Sequence, residues 1–242
     1  MNIHAHILSY NEEKMLPFTL DHYSSFCEKI FVWDNMSTDS SDEIYSKYPK
    51  VEVIKWNSNN EINEMNYVDI KSNCYKDRSR NNVDWVITCD CDEFVYHPNL
   101  LNVLSRYKNE GITIINTSGH EMVSEVFPEY DGKSLLEKVK IGSGKMTYLS
   151  KSIIFNPKID IRFDVGAHHC TSNNSIFSYC DEIKILHYKY LGKEYVGNIY
   201  KQRLSRLSEL NKTKKWGKHY SEIEWVYNMM DKILNEKNMV IL

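Results

Sequence analysis

Asp84-Trp85-Val86-Ile87-Thr88-Cys89-Asp90-Cys91-Asp92-Glu93-Phe94 is the stretch from which the rest of the chain can be read. Its apolar, β-branched first half predicts a buried strand, which delivers Asp90, Asp92 and Glu93 together at its C-terminal end. Carboxylates grouped in this way repel one another, so they imply a cation among them. Oxygen ligands at a strand end suit Mg²⁺ or Mn²⁺, which take one or two carboxylates from a protein and fill the rest of their coordination with water and substrate phosphates. The stretch therefore reads as a metal–diphosphate clamp. Taken alone, an Asp-x-Asp tripeptide is equally compatible with a solvated acidic turn.

The residues before it alternate between strand and helix patterns. Asn2 to Leu8 has strand character, Ser9-Tyr10-Asn11-Glu12 reads as a loop, and Met15, Leu16, Thr19, Leu20, Tyr23 and Phe26 have helical spacing, with Pro17 in the first turn. Ile30 to Trp33 predicts a second strand ending at Asp34-Asn35; Ser37 to Ser40 then supplies a turn and a helix N-cap. Val51 to Trp56 predicts a third strand, and a polar-faced helix is expected from about 60 to 80. Such alternation specifies an α/β fold with a mainly parallel sheet flanked by helices, and open sheets of that kind bind ligands at the carboxyl ends of their strands. Tyr10-Asn11-Glu12, Asp34-Asn35 and Asp90-Cys91-Asp92 all fall at such ends.

With 242 residues and a net charge of -3, the chain is long enough for one medium domain and lacks the basic balance of a nucleic-acid binder. No run approaches the roughly 18 apolar residues of a membrane span, and the N-terminus enters a strand pattern directly, so a cytoplasmic protein is expected. Six scattered cysteines without a Cys-x-x-Cys pair suggest reduced packing residues, neither a zinc site nor a disulfide framework.

Leu8-Ser9-Tyr10-Asn11-Glu12 before a helix, the Val32-Trp33-Asp34-Asn35-Met36-Ser37-Thr38-Asp39 turn, and Asp84-Trp85-Val86 leading into Asp90-Cys91-Asp92-Glu93-Phe94 together resemble a family 2-type glycosyltransferase of the GT-A fold, in the branch whose motif is D-x-D-E-F. The resemblance covers about the first hundred residues well and the remainder loosely. It implies a nucleotide-diphosphate sugar donor, a UDP-linked one being the first expectation, with Mn²⁺ or Mg²⁺ and inversion at the anomeric carbon. It also implies that Asp92 holds the metal, with Asp90 on the ribose or a metal-bound water, that Asp34 contacts the uracil or ribose, and that Tyr10, Asn11 and Glu12 lie near the base. Against each stands a plainer reading: Asp34 as a strand-end turn residue, Glu12 as an ordinary first-turn helix acid.

Beyond the clamp, Pro98 to Leu104 predicts a helix and Ile112 to Asn116 a strand, followed by a polar cluster containing His120 and Glu121. In the fold it resembles, this half faces the acceptor. A long loop with a short helix is expected from about 123 to 143, a strand or hairpin pair from 145 to 155 with Lys151 as a phosphate contact, and a strand at Ile183 to Leu186 ending in His187-Tyr188. An inverting transfer needs a base for the acceptor proton; the candidates are Asp164, His168, His169 and Glu121. His168 and His169, on an extended strand, would face opposite sides. His187 is a third metal candidate beside Asp90 and Asp92, on its likeness to a His-Tyr in related sequences.

The C-terminal part predicts two amphipathic helices broken at Trp216-Gly217. Lys201, Arg203, Arg206, Lys212, Lys214, Lys215 and Lys218 make it locally basic, which suits a solvated helix face, a lid over the diphosphate, or peripheral contact with an anionic membrane. The expected organisation is a GT-A-like catalytic domain over 1–190, with a nucleotide-binding half to about 97 and an acceptor half after it, and helices over 191–242 packed on the same domain. A glycosyltransferase acting on a glycan or other hydroxyl acceptor, in glycan or surface polysaccharide synthesis, is the leading reading. A nucleotidyltransferase, for which a Gly-rich phosphate loop is missing, and a non-catalytic nucleotide-sugar-binding protein are the alternatives.

Overall fold

A computed structural model describes residues 1–173 and 175–241. Its first half alternates as the sequence predicts: β1 (Ile3–Ser9), α1 (Leu16–Ser24), β2 (Lys29–Asp34), α2 (Ser41–Tyr45), β3 (Val51–Lys55), α3 (Glu64–Asn73) and β4 (Trp85–Asp90). These four strands are parallel and lie side by side in the order β3-β2-β1-β4. Leu8 pairs with Asp90 and Ser9 with Asp34, so the loops after β1, β2 and β4 open at one level. Every residue of β1 is buried, which explains its apolar run: a central parallel strand is covered on both faces.

The second half follows as β5 (Glu93–Tyr96), α4 (Leu100–Asn109), β6 (Ile114–Ile115), β7 (Ser118–Ser124), α5 (Leu135–Lys138), β8 (Ile154–Phe155), β9 (Ile161–Phe163), β10 (Cys170–Ser172), β11 (Lys184–Leu191), α6 (Lys193–Ser205), α7 (Glu209–Lys214) and α8 (Ile223–Glu236). β8 and β6 extend the main sheet beyond β4, β8 antiparallel to both neighbours. A second sheet has the order β5-β11-β7, and β9 with β10 forms a hairpin. Trp85, Phe94, Tyr107 and Tyr188 are fully buried in the core that joins the sheets. The six cysteines are all unpaired.

Several expectations are corrected. The helix expected from 60 to 80 stops at Asn73, because Tyr75 turns inward and its hydroxyl bonds the Ile159 carbonyl and the Ile161 N–H. The turn from Ser37 to Ser40 does supply the N-cap of α2, through the Asp39 carboxylate, which accepts from the Ser41 N–H. Glu93 to Tyr96, directly after the clamp, forms a further strand, and the polar cluster after Asn116 is the start of β7. The hydrogen-bonded ladder of β11 recruits both. No hairpin forms over 145–153; a 3-10 turn at Thr147–Leu149 crosses so close over Gly119 that an added Cβ there would lie 2.3 Å from Leu149. His168 and His169 do not sit on a strand, since Gly166 and Ala167 have φ of 78° and 55° and turn the chain before β10. β11 continues to Leu191, so His187 is inside a strand, next to a bulge. Among the described residues three α-helices, not two, follow it.

One polar relay lies inside this apolar frame. The Trp33 indole N–H donates to His6 Nδ1 (3.2 Å), which fixes the proton of that ring on Nε2, facing Ser79 Oγ at 2.8 Å. The Ser79 hydroxyl is then free to donate to His4 Nδ1, at 2.9 Å. Burial pushes His6 down to about 3 and His22, whose Nε2 meets the Val95 carbonyl, to about 4. In the unfolded chain both titrate near the ordinary 6.5. As pH falls below 6.5 the unfolded chain takes up protons that the folded chain cannot, and stability declines by up to about 1.4 kcal/mol per pH unit for each ring. Ring-proton NMR between pH 7.5 and 5 should show His6 and His22 flat and neutral; a His6 ring titrating near 6.5 would contradict the relay, and a His22 ring doing so would contradict its burial against Val95.

Candidate active site

A cavity of about 470 Å³ opens at the carboxyl ends of β1 to β4. The turn carrying its carboxylates is pinned from beneath by α1. Thr19 Oγ1 donates to the Cys91 carbonyl and, one helical turn on, the Tyr23 hydroxyl donates to the Glu93 carbonyl, both at 2.7 Å. From the other side the Tyr188 N–H of β11 donates to the Asp92 carbonyl at 2.7 Å. The clamp is thus a junction between the two sheets.

Each carboxylate is met by a different cation. Asp90 faces Lys71 Nζ at 2.9 Å. Glu93 accepts from Lys151 Nζ and from the Asp90 N–H, so the charge of Lys151 is directed at a buried carboxylate. Asp92 lies 3.6 Å from His187 Nε2 and 3.8 Å from Arg203. Burial alone would raise the Asp92 carboxyl, but His187, Arg203 and Lys189 hold it far below the carboxylate range. The far side of His187 donates from Nδ1 to Glu121 at 2.8 Å. Burial opposes its charge, yet Glu121 and Asp92 together raise His187 to about 10, making an imidazolium between two carboxylates. Glu12 is lifted by burial to about 7, with Arg203 opposing the shift from 3.4 Å. Lys189 has no carboxylate within ion-pair distance among the described residues. Its Nζ lies over Tyr190, Tyr200 and Tyr220 at 5.8, 5.2 and 5.4 Å, and burial followed by Arg203 lowers it to about 8.

Of the residues singled out from the sequence, Tyr10, Glu12, Asp90, Asp92, Glu121, Lys151, Asp164, His168 and His187 line this cavity. Asn11 and Asp34 do not reach it. Asn11 Oδ1 accepts from the Thr38 N–H, tying two loops together. Asp34 is fully buried, accepting from the Ser37 N–H, the Tyr45 hydroxyl and Lys55, so no acceptor oxygen is turned toward a ligand. His169 is exposed outside the cavity, with its N–H bonded to Asp164 Oδ1. On β7, alternation sends Glu121 to the cavity and His120 to the Ser143 carbonyl. Burial, with Lys151 nearby, lowers His168 to about 4, leaving a neutral ring.

Among the described residues no group of three or more His, Cys, Asp or Glu side chains is arranged around a metal position. The donor set nevertheless fits a two-residue site in which a bound cation would take the place of the His187 Nε2 proton. Asp92 and His187 face each other, and Glu121 holds the second ring nitrogen, as metal-bound histidines are commonly held. Mg²⁺ and Mn²⁺ need no more than this from a protein when phosphates complete their shell.

The sequence matches the family model described as glycosyl transferase family 2 over residues 5–179, most of its length. The chain belongs to glycosyl transferase family 2. No curated protein matches it. Among solved structures it is similar to TarS residues 1–349 from S. aureus, at 14% identity over 92% of this chain and 69% of that one, with a TM-score of 0.47. The same TarS fragment in complex with UDP-GlcNAc gives 14% identity, 91% and 73% coverage and a TM-score of 0.45. Glucosyl-3-phosphoglycerate synthase from Mycobacterium tuberculosis, in complex with Mn²⁺, UDP and glucosyl-3-phosphoglycerate, gives 18%, 49% and 44% with a TM-score of 0.32.

The family match ends before β11, so His187, Lys189, Arg203 and Arg206 of this family 2 member all lie beyond it. Lys71, Lys189, Arg203 and Arg206 had no place in the motif reading. Arg203 and Arg206 are three residues apart, and that spacing could have placed them on one face of α6.

The Lys151 and Glu93 side chains are 8% and 2% exposed. Lys151→Met should therefore cost about 3 kcal/mol or more by stranding a buried carboxylate, and Lys151→Met with Glu93→Gln should recover much of it. Urea unfolding of the two variants checks this; equal losses would contradict the pairing.

Proposed function

We propose that this chain transfers a sugar from a nucleoside diphosphate sugar, UDP-linked, to an acceptor hydroxyl with inversion at the anomeric carbon, in building a glycan or surface polysaccharide. The observation that carries this reading is the array Glu121–His187–Asp92 with Arg203 and Lys189 beside it, at the edge of a parallel sheet where ligands bind. In such a transfer the acceptor oxygen bonds to the anomeric carbon. The bond from that carbon to the phosphate oxygen breaks, and its electron pair leaves with the diphosphate. Positive groups fixed where that charge accumulates stabilise the transition state more than the ground state. Arg203 and Lys189 are such groups, and Lys71 holds Asp90 in register beside them. A divalent cation, Mn²⁺ or Mg²⁺, would be held by Asp92 and His187 and would supply further positive charge to the leaving diphosphate.

The acceptor proton must go to a base. Glu121 is engaged by His187 and His169 lies outside the cavity, which favours Asp164 and His168, both on the turn between β9 and β10 and both lining the cavity. On this reading residues 1–97 form the nucleotide-binding half, 98–190 the acceptor half, and the helices over 191–242 pack on the same domain. No helix among the described residues is long and apolar enough to cross a membrane. The exposed Lys201, Lys214 and Lys215 support contact with an anionic membrane surface.

The test is nucleotide release. With Mn²⁺ and a panel of sugar nucleotides, the protein should liberate UDP, and Asp92→Ala should lower the rate by on the order of 100-fold or more while the protein still melts in a single cooperative transition. An active Asp92→Ala enzyme would remove that residue from the reaction, and release of pyrophosphate would make the protein a nucleotidyltransferase.

A further inference from the structure

We infer that Arg206, at the end of α6 and outside the family-matched segment, recognises the nucleobase of the donor through a keto oxygen, and that the C-terminal segment thereby completes the donor pocket. The inference rests on the donor reading above and adds what selects the base.

The cavity has two chemically different ends, and the strand order fixes which is which. Trp56 follows β3, Asn35 follows β2, Tyr10 follows β1, and Asp90 to Asp92 follow or end β4; all of them line the cavity. With neighbouring strands about 4.8 Å apart, the run from β3 to β4 spans about 14 Å. One end is therefore aromatic, with Trp56 and Tyr67 edge to face at 5.6 Å, and the other is charged. A nucleoside diphosphate has the same polarity, a flat base at one end and phosphates at the other.

Arg206 stands at the aromatic end. Its guanidinium carbon lies 3.2 Å from the centre of the Tyr10 ring, and its Nε donates to the Asn60 carbonyl at 3.1 Å. Tyr10 is steadied in turn by its hydroxyl on Asn60 Oδ1, at 3.0 Å. The arginine is only 7% exposed, and its Nη2 is buried without a hydrogen-bond partner among the described residues. Arg203, one turn earlier, differs: it faces Glu12 and Asp92. No carboxylate lies within ion-pair distance of Arg206 among the described residues.

This side chain is held in place by the backbone around it. The Ile62 N–H donates to the Arg206 carbonyl at 2.6 Å and the Ser208 N–H to the Ile62 carbonyl at 3.0 Å, while Asn211 Oδ1 accepts from the Glu64 N–H at the start of α3. The C-terminal strap is thus stitched to the loop that walls the aromatic end. A buried guanidinium N–H without an acceptor is costly, and a ligand oxygen relieves that cost. Arginine only donates, so it suits the carbonyl oxygens of uracil; adenine has no keto oxygen, and its exocyclic amine is a donor that arginine cannot satisfy. The diphosphate has its own cations, Lys189 and Arg203, at the other end.

Isothermal titration of the full chain with UDP, ADP and inorganic pyrophosphate, each with Mn²⁺, tests the assignment. The wild type should bind UDP more tightly than ADP. Arg206→Met should lose at least tenfold in UDP affinity, keep pyrophosphate affinity within twofold, and lose most of the preference for UDP over ADP. Should that variant not fold, as judged by its melting curve, Arg206→Lys decides by the same comparison. Unchanged UDP affinity would overturn the inference alone, as would equal losses for UDP and pyrophosphate, which would make Arg206 a phosphate contact. A wild-type protein that binds neither ligand would overturn the donor reading and this inference with it.

Discussion

Four carboxylates, Glu12, Asp92, Glu93 and Glu121, are buried at one edge of the fold, and their charge has to be balanced from somewhere. Desolvating an ion costs several kcal/mol unless a partner is held close to it. The partners come from distant parts of the chain: Lys151 from the crossing after β7, His187 from β11, and Arg203 from α6. Neutralising this edge therefore binds the C-terminal half to the N-terminal sheet. The site's charge pairs are therefore also contacts that join the two parts of the molecule.

The same requirement explains why some of the site was legible in the sequence and some was not. Asp90, Asp92 and the strand beneath them stand in one short stretch, and local pattern was enough to read them. Tyr10 and Glu12 followed from strand order. Asp34 did not, because its role depends on whether Tyr45, Ser37 and Lys55 turn its carboxylate inward, which no local pattern records. β5 and β7 were hidden for a related reason. β5 is only four residues long and follows the carboxylates directly, and β7 opens on a polar run; both are paired with β11, nearly a hundred residues away in the case of β5. Of the strand or hairpin pair expected over 145–155 only Ile154–Phe155 is a strand, because Gly119 lets Leu149 cross close above it, a contact between residues with no sequence relation.

The basic C-terminal stretch was the largest loss. Read as composition, its seven lysines and arginines suggested a solvated face. In the fold they divide: Arg203 and Arg206 turn into the cavity, while Lys201, Lys212, Lys214, Lys215 and Lys218 remain exposed. Spacing at three residues marked the inward pair, but only the position of α6 against the sheet edge gave that spacing a meaning. The family-matched segment thus supplies the main sheet, the carboxylates and the lysines that meet Asp90 and Glu93, and the segment after it supplies His187 and Arg203, which meet Asp92.

A crystal structure of the protein with UDP and Mn²⁺ tests this account most directly. The diphosphate should lie between the Asp92–His187 pair and the Lys189–Arg203 pair, with the base against Tyr10. A nucleotide bound away from the ends of β1 to β4, with Asp92 still ion-paired to Arg203 and no metal beside it, would contradict the account.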